Sequence, residues 1–148
     1  MSEQTPLSRW MDIIFICSSI IFNVAVSLVY ISSKLSNMAL LLASGYTVIL
    51  LIIPFTISLI GHLKEKAEIK RILTHVIILF YLFLELVLDH ILRFPFREVL
   101  VPHILYIIVF YIAAFNMLFV SYQKDKNLGI GVIITFVILI GCLIFYLV

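Results

Sequence analysis

Apolar residues fall into five long blocks separated by short polar ones, and this spacing predicts membrane-spanning helices at about residues 10–31, 38–60, 72–92, 99–121 and 128–148. Each block is close to the ~20 residues needed to cross a hydrocarbon core of ~30 Å. Trp10 and Tyr30 flank the first block, where amphipathic rings settle at the two interfaces. Asn23 lies mid-block among Ser18, Ser19 and Ser27, a set of side chains suited to helix–helix packing. After a polar turn from Ser32 to Asn37 comes the second block, with Pro54 in its interior. Proline lacks the amide hydrogen that would reach back four residues, so a kink is expected there.

Polar punctuation defines the remaining boundaries. Gly61 to Arg71 is the most hydrophilic stretch, a solvated loop or a helical extension. If it is helical, Lys64 and Glu68 attract while Lys66 and Lys70 repel, so charge pairing does not select helix. Phe94-Pro95-Phe96-Arg97 ends the third span, because a residue before proline is pushed out of helical geometry. Pro102 fits the first turn of the fourth span, and Gln123 to Asn127 forms the last turn. Five spans put Arg9, Lys64, Lys66, Lys70, Arg71, Lys124 and Lys126 on one side and Lys34, Arg93 and Arg97 on the other. Seven basic residues against three predict a cytoplasmic N-terminus and an outside C-terminus.

Composition supports the same class. Of 148 residues, 64% are hydrophobic and 12% charged, whereas a soluble domain carries roughly 25% charged residues. The expectation is an all-α integral membrane protein, a five-helix bundle forming one membrane domain over 1–148, multi-pass in the cell membrane, with the lipid bilayer as its first partner. The first apolar run is too long for a signal-peptide core and lacks a clear small-residue cleavage site. Cys17 and Cys142 stand far apart in apolar runs and read as packing residues. A net charge of +2, with no basic run interleaved with aromatics, argues against nucleic-acid binding. Gly129, Gly131 and Gly141 permit close backbone approach within the bundle or to another protomer, which leaves a homo-oligomer open.

Candidate chemistry gathers between Glu85 and His103. Tyr81, Glu85, Asp89 and Arg93 follow an i,i+4 ladder and form one stripe on the third helix. Glu85 falls within about 5 Å of the span midpoint at ~1.5 Å per residue, while Asp89 lies nearer the outer interface. An ionised carboxylate at helix centre costs about 2.5–3.5 kcal/mol, so it faces a wet interior or a partner, or takes up a proton. Glu85 thus reads as a floor. Asp89, His90, Arg93, Arg97, Glu98 and His103 read as an outward polar mouth, with His103 returned by the fourth helix. Tyr106 shares that depth if the third and fourth helices are antiparallel neighbours. Together with Phe110, Ala113, Ala114 and Met117 it otherwise forms a packing seam.

The sites considered for proton, ion or ligand binding are therefore Glu85, Asp89, His90, Arg93, His103 and Tyr106. His62 is expected among head groups beside Lys64. His62 and His75 near one face, with His90 and His103 near the other, loosely match the layout of a two-haem b-type cytochrome. Zinc ligation by Asp89, His90, Glu98 and His103 is disfavoured, because adjacent Asp89 and His90 point about 100° apart on a helix. No cofactor is therefore expected, with haem b and zinc as the alternatives. No GxSxG motif is present for a metal-free hydrolase.

Three function classes follow. The first is a transporter, channel or solute-binding protein with an outward-facing polar pocket between the third and fourth helices and an intramembrane carboxylate, acting on a small ion or solute. The second is a membrane enzyme acting on a lipid or amphiphile head group. The third is a structural subunit of a larger membrane complex. The depth of Glu85 favours the first.

Overall fold

The computed structural model describes residues 6–93, 95 and 98–148. Helix α1 covers Pro6–Lys34, α2 Met38–Leu50, α3 Ile52–Lys64, α4 Ile69–Glu85, α5 Leu100–Lys124 and α6 Lys126–Leu147, and a π-helical segment, Leu86–Ile91, continues α4. Taking α2 with α3, and α4 with its π segment, five helices are long and apolar enough to cross a membrane. That is the number the apolar blocks predict.

Helix α1 is the hub, packing against α2, α3, α5 and α6. Half of its most apolar window is buried inside the bundle, against 22–33% for the other spans. Its polar residues are consequently inside and need internal partners, since lipid offers none. Ser18, Ser19 and Ser27 donate to carbonyls one turn back, at 2.6, 2.9 and 2.7 Å. The Asn23 amide donates to the Val132 carbonyl at 3.2 Å and the Thr135 hydroxyl at 3.1 Å, fastening α1 to α6.

The second span breaks at Leu51, three residues before Pro54. The proline ring crowds the Leu50 carbonyl and offers it no hydrogen. The Leu51 amide divides between the Thr47 and Val48 carbonyls, at 3.3 Å each. Beyond the break α3 runs on to Lys64, so the hydrophilic stretch is neither all loop nor one continuous helix. Lys64 closes α3, Lys66 turns the chain with φ 51°, and Glu68 precedes α4. Lys64 and Glu68 are therefore not one turn apart on a common helix.

The last turn is tighter than the five polar residues suggest. Asp125 alone is extended between α5 and α6, and its carboxylate accepts from the Asn127 and Leu128 amides at 2.9 and 3.1 Å. This caps α6. Gly129 then passes so close to α5 that an added Cβ would lie 2.5 Å from Tyr122 Cα.

Phe15, Phe22, Phe55, Ile78, Leu82, Met117 and Leu139 form the fully buried core. Ile53, Phe80, Phe119 and Val137 are all more than half exposed on the outside. With polar groups inside and large apolar side chains outside, this surface suits lipid.

Replacing Gly129 by alanine forces backbone apart at the α5–α6 turn, for an expected loss of about 1–3 kcal/mol. Gly141→Ala meets nothing within 4 Å and serves as the control. Thermal unfolding in detergent should show a lowered midpoint for Gly129→Ala only.

Candidate functional site

Two polar clusters sit at different levels of the bundle. The first gathers where α1 begins, α3 ends, α4 begins and α5 ends. Lys124 Nζ lies 2.8 Å from Asp12 Oδ1, with their side chains only 1% and 12% exposed. The same ammonium is 2.8 Å from His62 Nε2 and stands over the Phe15 ring at 4.8 Å. His62 Nδ1 is 2.7 Å from the Ser58 carbonyl, which only accepts, so Nδ1 carries the hydrogen and Nε2 accepts from Lys124. His75 repeats the arrangement. Its Nδ1 donates to the Arg71 carbonyl at 2.7 Å and its Nε2 accepts from the Ser58 hydroxyl at 3.0 Å. Two imidazoles in one tautomer thus lie side by side, ring centroids 4.7 Å apart.

This corrects one expectation. His62 is buried, not among head groups. The His62–His75 pair does not fit haem either, because a bis-histidine haem holds its iron between the two coordinating nitrogens. Here the rings contact each other directly at a 43° tilt, and both Nε2 atoms are already engaged.

Asp12 was invisible as a site residue from the apolar pattern, which absorbed it into the first span and left Lys124 in a turn. The available signal was depth: an acid near the start of the first span and a base at the end of the fourth fall at the same level. Ser58 carries no such signal, since a lone serine in an apolar run is usually a packing residue.

The second cluster is the predicted floor. Tyr81 OH lies 2.9 Å from Tyr106 OH and 3.3 Å from Glu85 Oε2, and Tyr106 OH donates to the same carboxylate oxygen. Each phenol has one hydrogen, so the donor order Tyr81 to Tyr106 to Glu85 satisfies all three groups. Tyr81 is buried, while Glu85 and Tyr106 are half-buried. Aromatic packing fixes Tyr81 against Phe22 and Phe110, at centroid distances of 5.8 and 5.5 Å. Tyr106 meets Glu85, one turn deeper than the Asp89–His90 level expected for it.

The i,i+4 ladder stops at Glu85. From Leu86 the chain winds as a π helix, with the Leu92 amide donating to the Val87 carbonyl at 2.8 Å. Asp89 and His90 are half-buried within that segment. The His90 ring turns to Tyr46 of α2 at 5.3 Å, and its buried Nδ1 has no hydrogen-bond partner among the described residues. Arg93 is exposed beyond the helix with φ 49°, so it does not extend the stripe. His103 is half-buried in the first turn of α5, Glu98 is exposed, and Arg97 lies outside the described residues. Of the predicted site residues, the structure unites Glu85 with Tyr106. Among the described residues no three His, Cys, Asp or Glu side chains could together hold a metal ion.

Comparison of the chain with protein-family models, with curated proteins and with solved structures gives no match.

Removing one member of the Asp12–Lys124 pair leaves the other charge buried and alone, at an expected cost of about 3–5 kcal/mol. Asp12→Asn and Lys124→Met should each lower the unfolding midpoint in detergent. The double variant Asp12→Leu/Lys124→Met should recover much of that loss, and additive losses would contradict a direct coupling.

Proposed function

We propose that the chain is a proton- or cation-binding membrane protein of the transporter or channel class, with Glu85 as its binding group. The observation that carries this reading is the convergence of two phenol hydroxyls, from α4 and α5, on the Glu85 carboxylate. A carboxylate clamped only for packing needs its one donor, Tyr106, and no second hydroxyl behind it. A graded chain of hydroxyls ending on an acid instead provides a path along which a proton is passed and held. The position supports the same reading, because the π segment starts at the next residue and π turns cluster at functional sites.

Orientation belongs to the proposal. With seven basic residues on the side of the N-terminus and three on the other, the Asp12–Lys124 end faces the cytoplasm and Glu85 is approached from outside. Phe15 packs under the first polar level and Phe22 against Tyr81 of the second, and Ile78, between His75 and Tyr81 on α4, is like both of them essentially inaccessible. This dry layer closes Glu85 towards the inside in the present conformation. Asp89, His90, Arg93 and His103 belong to the outer approach.

In liposomes containing the protein and entrapped pyranine, an imposed pH gradient should collapse faster than in protein-free vesicles. Glu85→Gln should abolish the protein-dependent part and Tyr106→Phe should slow it. Wild-type rates at the protein-free level, or unchanged rates in Glu85→Gln, would defeat the proposal. Orientation is checked separately by single cysteines in a background lacking Cys17 and Cys142. Lys66→Cys should react with a membrane-impermeant maleimide only from the cytoplasmic side, and Lys34→Cys only from outside. The reverse pattern would overturn the orientation alone.

A further inference from the structure

The geometry points to an anionic phospholipid held on the outer flank of α4 and α5, with its phosphate at Lys70 and Arg71 and an acyl chain lying along α5. Two neighbouring cavities carry the inference. One, of about 370 Å³, lies between the start of α4 and the end of α5, where Glu68, Lys70, Arg71 and Gln123 surround it at the polar end. Leu73, Ile77, Phe119 and Val120 line it deeper. The other, of about 490 Å³, continues along α5 past Tyr111 and Phe115 to Ile107. Asn116 and Phe119 border both, so the two form one track.

Its dimensions suit a lipid. From Gln123 to Ile107 the helix rises about 24 Å at ~1.5 Å per residue, most of a hydrocarbon core of ~30 Å. Leu73 and Phe119, 58% and 64% exposed, leave the track open sideways to the membrane. The Asn116 side chain does not spoil the track for an acyl chain, because its amide donates to the Ile112 carbonyl at 2.9 Å. Likewise the Thr74 hydroxyl is spent on the Lys70 carbonyl, at 3.0 Å.

Charge selects the occupant. Two cations face one carboxylate, Glu68, at the polar end, and basic pockets at the ends of membrane helices are the usual receptors for acidic head groups. A second copy of this chain fits less well, since a two-fold axis through the track would set Lys70 and Arg71 against their own images. The site is independent of Glu85, which lies outside both cavities.

Native mass spectrometry of the detergent-purified full chain, titrated with phosphatidylglycerol or phosphatidylcholine, tests the inference. Phosphatidylglycerol should be retained preferentially. Lys70→Gln/Arg71→Gln should weaken its retention by roughly tenfold or more, from about 1 kcal/mol per basic residue. Both side chains are exposed, so the double variant is expected to fold, and an unchanged unfolding midpoint verifies that it has. Phe119→Ala should weaken both lipids by loss of chain packing, whereas Lys34→Gln, at the last residue of α1, should change neither. Equal retention of the two lipids, a preference that survives the double variant, or a lipid-free dimer at all concentrations would each overturn it.

Discussion

The buried ion pair between Asp12 and Lys124 is the interaction on which the arrangement of one whole end depends. Two opposite charges in an apolar bundle have no alternative to each other. Their meeting at 2.8 Å joins the first turns of α1 to the last turn of α5. His62 completes the lysine's coordination, and Ser58 carries the network from α3 to His75 of α4. Four helices are thereby registered at one level by directional contacts. Dispersion packing alone, which is similar among leucine and isoleucine side chains in many arrangements, does not impose such a register.

At the level of Glu85 the construction is different. Hydroxyl–carboxylate contacts replace an ion pair, and the helix that bears them changes its winding at the next residue. A π turn leaves carbonyls and amides in a looser ladder than an α turn, and the chain beyond it ends in a left-handed residue, Arg93. An end held by charged, directional contacts and a level held by hydroxyl–carboxylate contacts are thus separated by the inaccessible side chains of Phe22 and Ile78. The Leu51 break in the second span likewise interrupts the regular helix in one wall of the bundle.

How much of this was legible in the sequence depended on which physical constraint was strongest at each place. Bilayer thickness sets the length of every span, so all five apolar blocks could be read directly, and Pro54 announced the interruption by chemistry that holds in any context. The Tyr81–Glu85 contact followed from helical spacing alone. Tyr106 was found on the correct neighbouring helix but one turn too shallow, because the pairing of α4 and α5 is set by packing between residues far apart in the chain. The π segment left no mark in composition, since Leu86 to Ile91 reads like any apolar helical turn apart from Asp89 and His90. Asp12 was missed for the opposite reason: one acid hardly dents the hydropathy of a long apolar run, and its meaning appears only when Lys124 is brought to it through the fold.

Whether Glu85 exchanges a proton with the outer solution decides between a working acid and a static polar fastening. The direct measurement is infrared spectroscopy of the protein in oriented membranes during a pH titration of the outer face, followed in the carboxyl C=O region. A working acid gives a band that appears and disappears reversibly with outer pH and is absent from Glu85→Gln. A band that stays constant across the titration, or one that survives in Glu85→Gln, would contradict it.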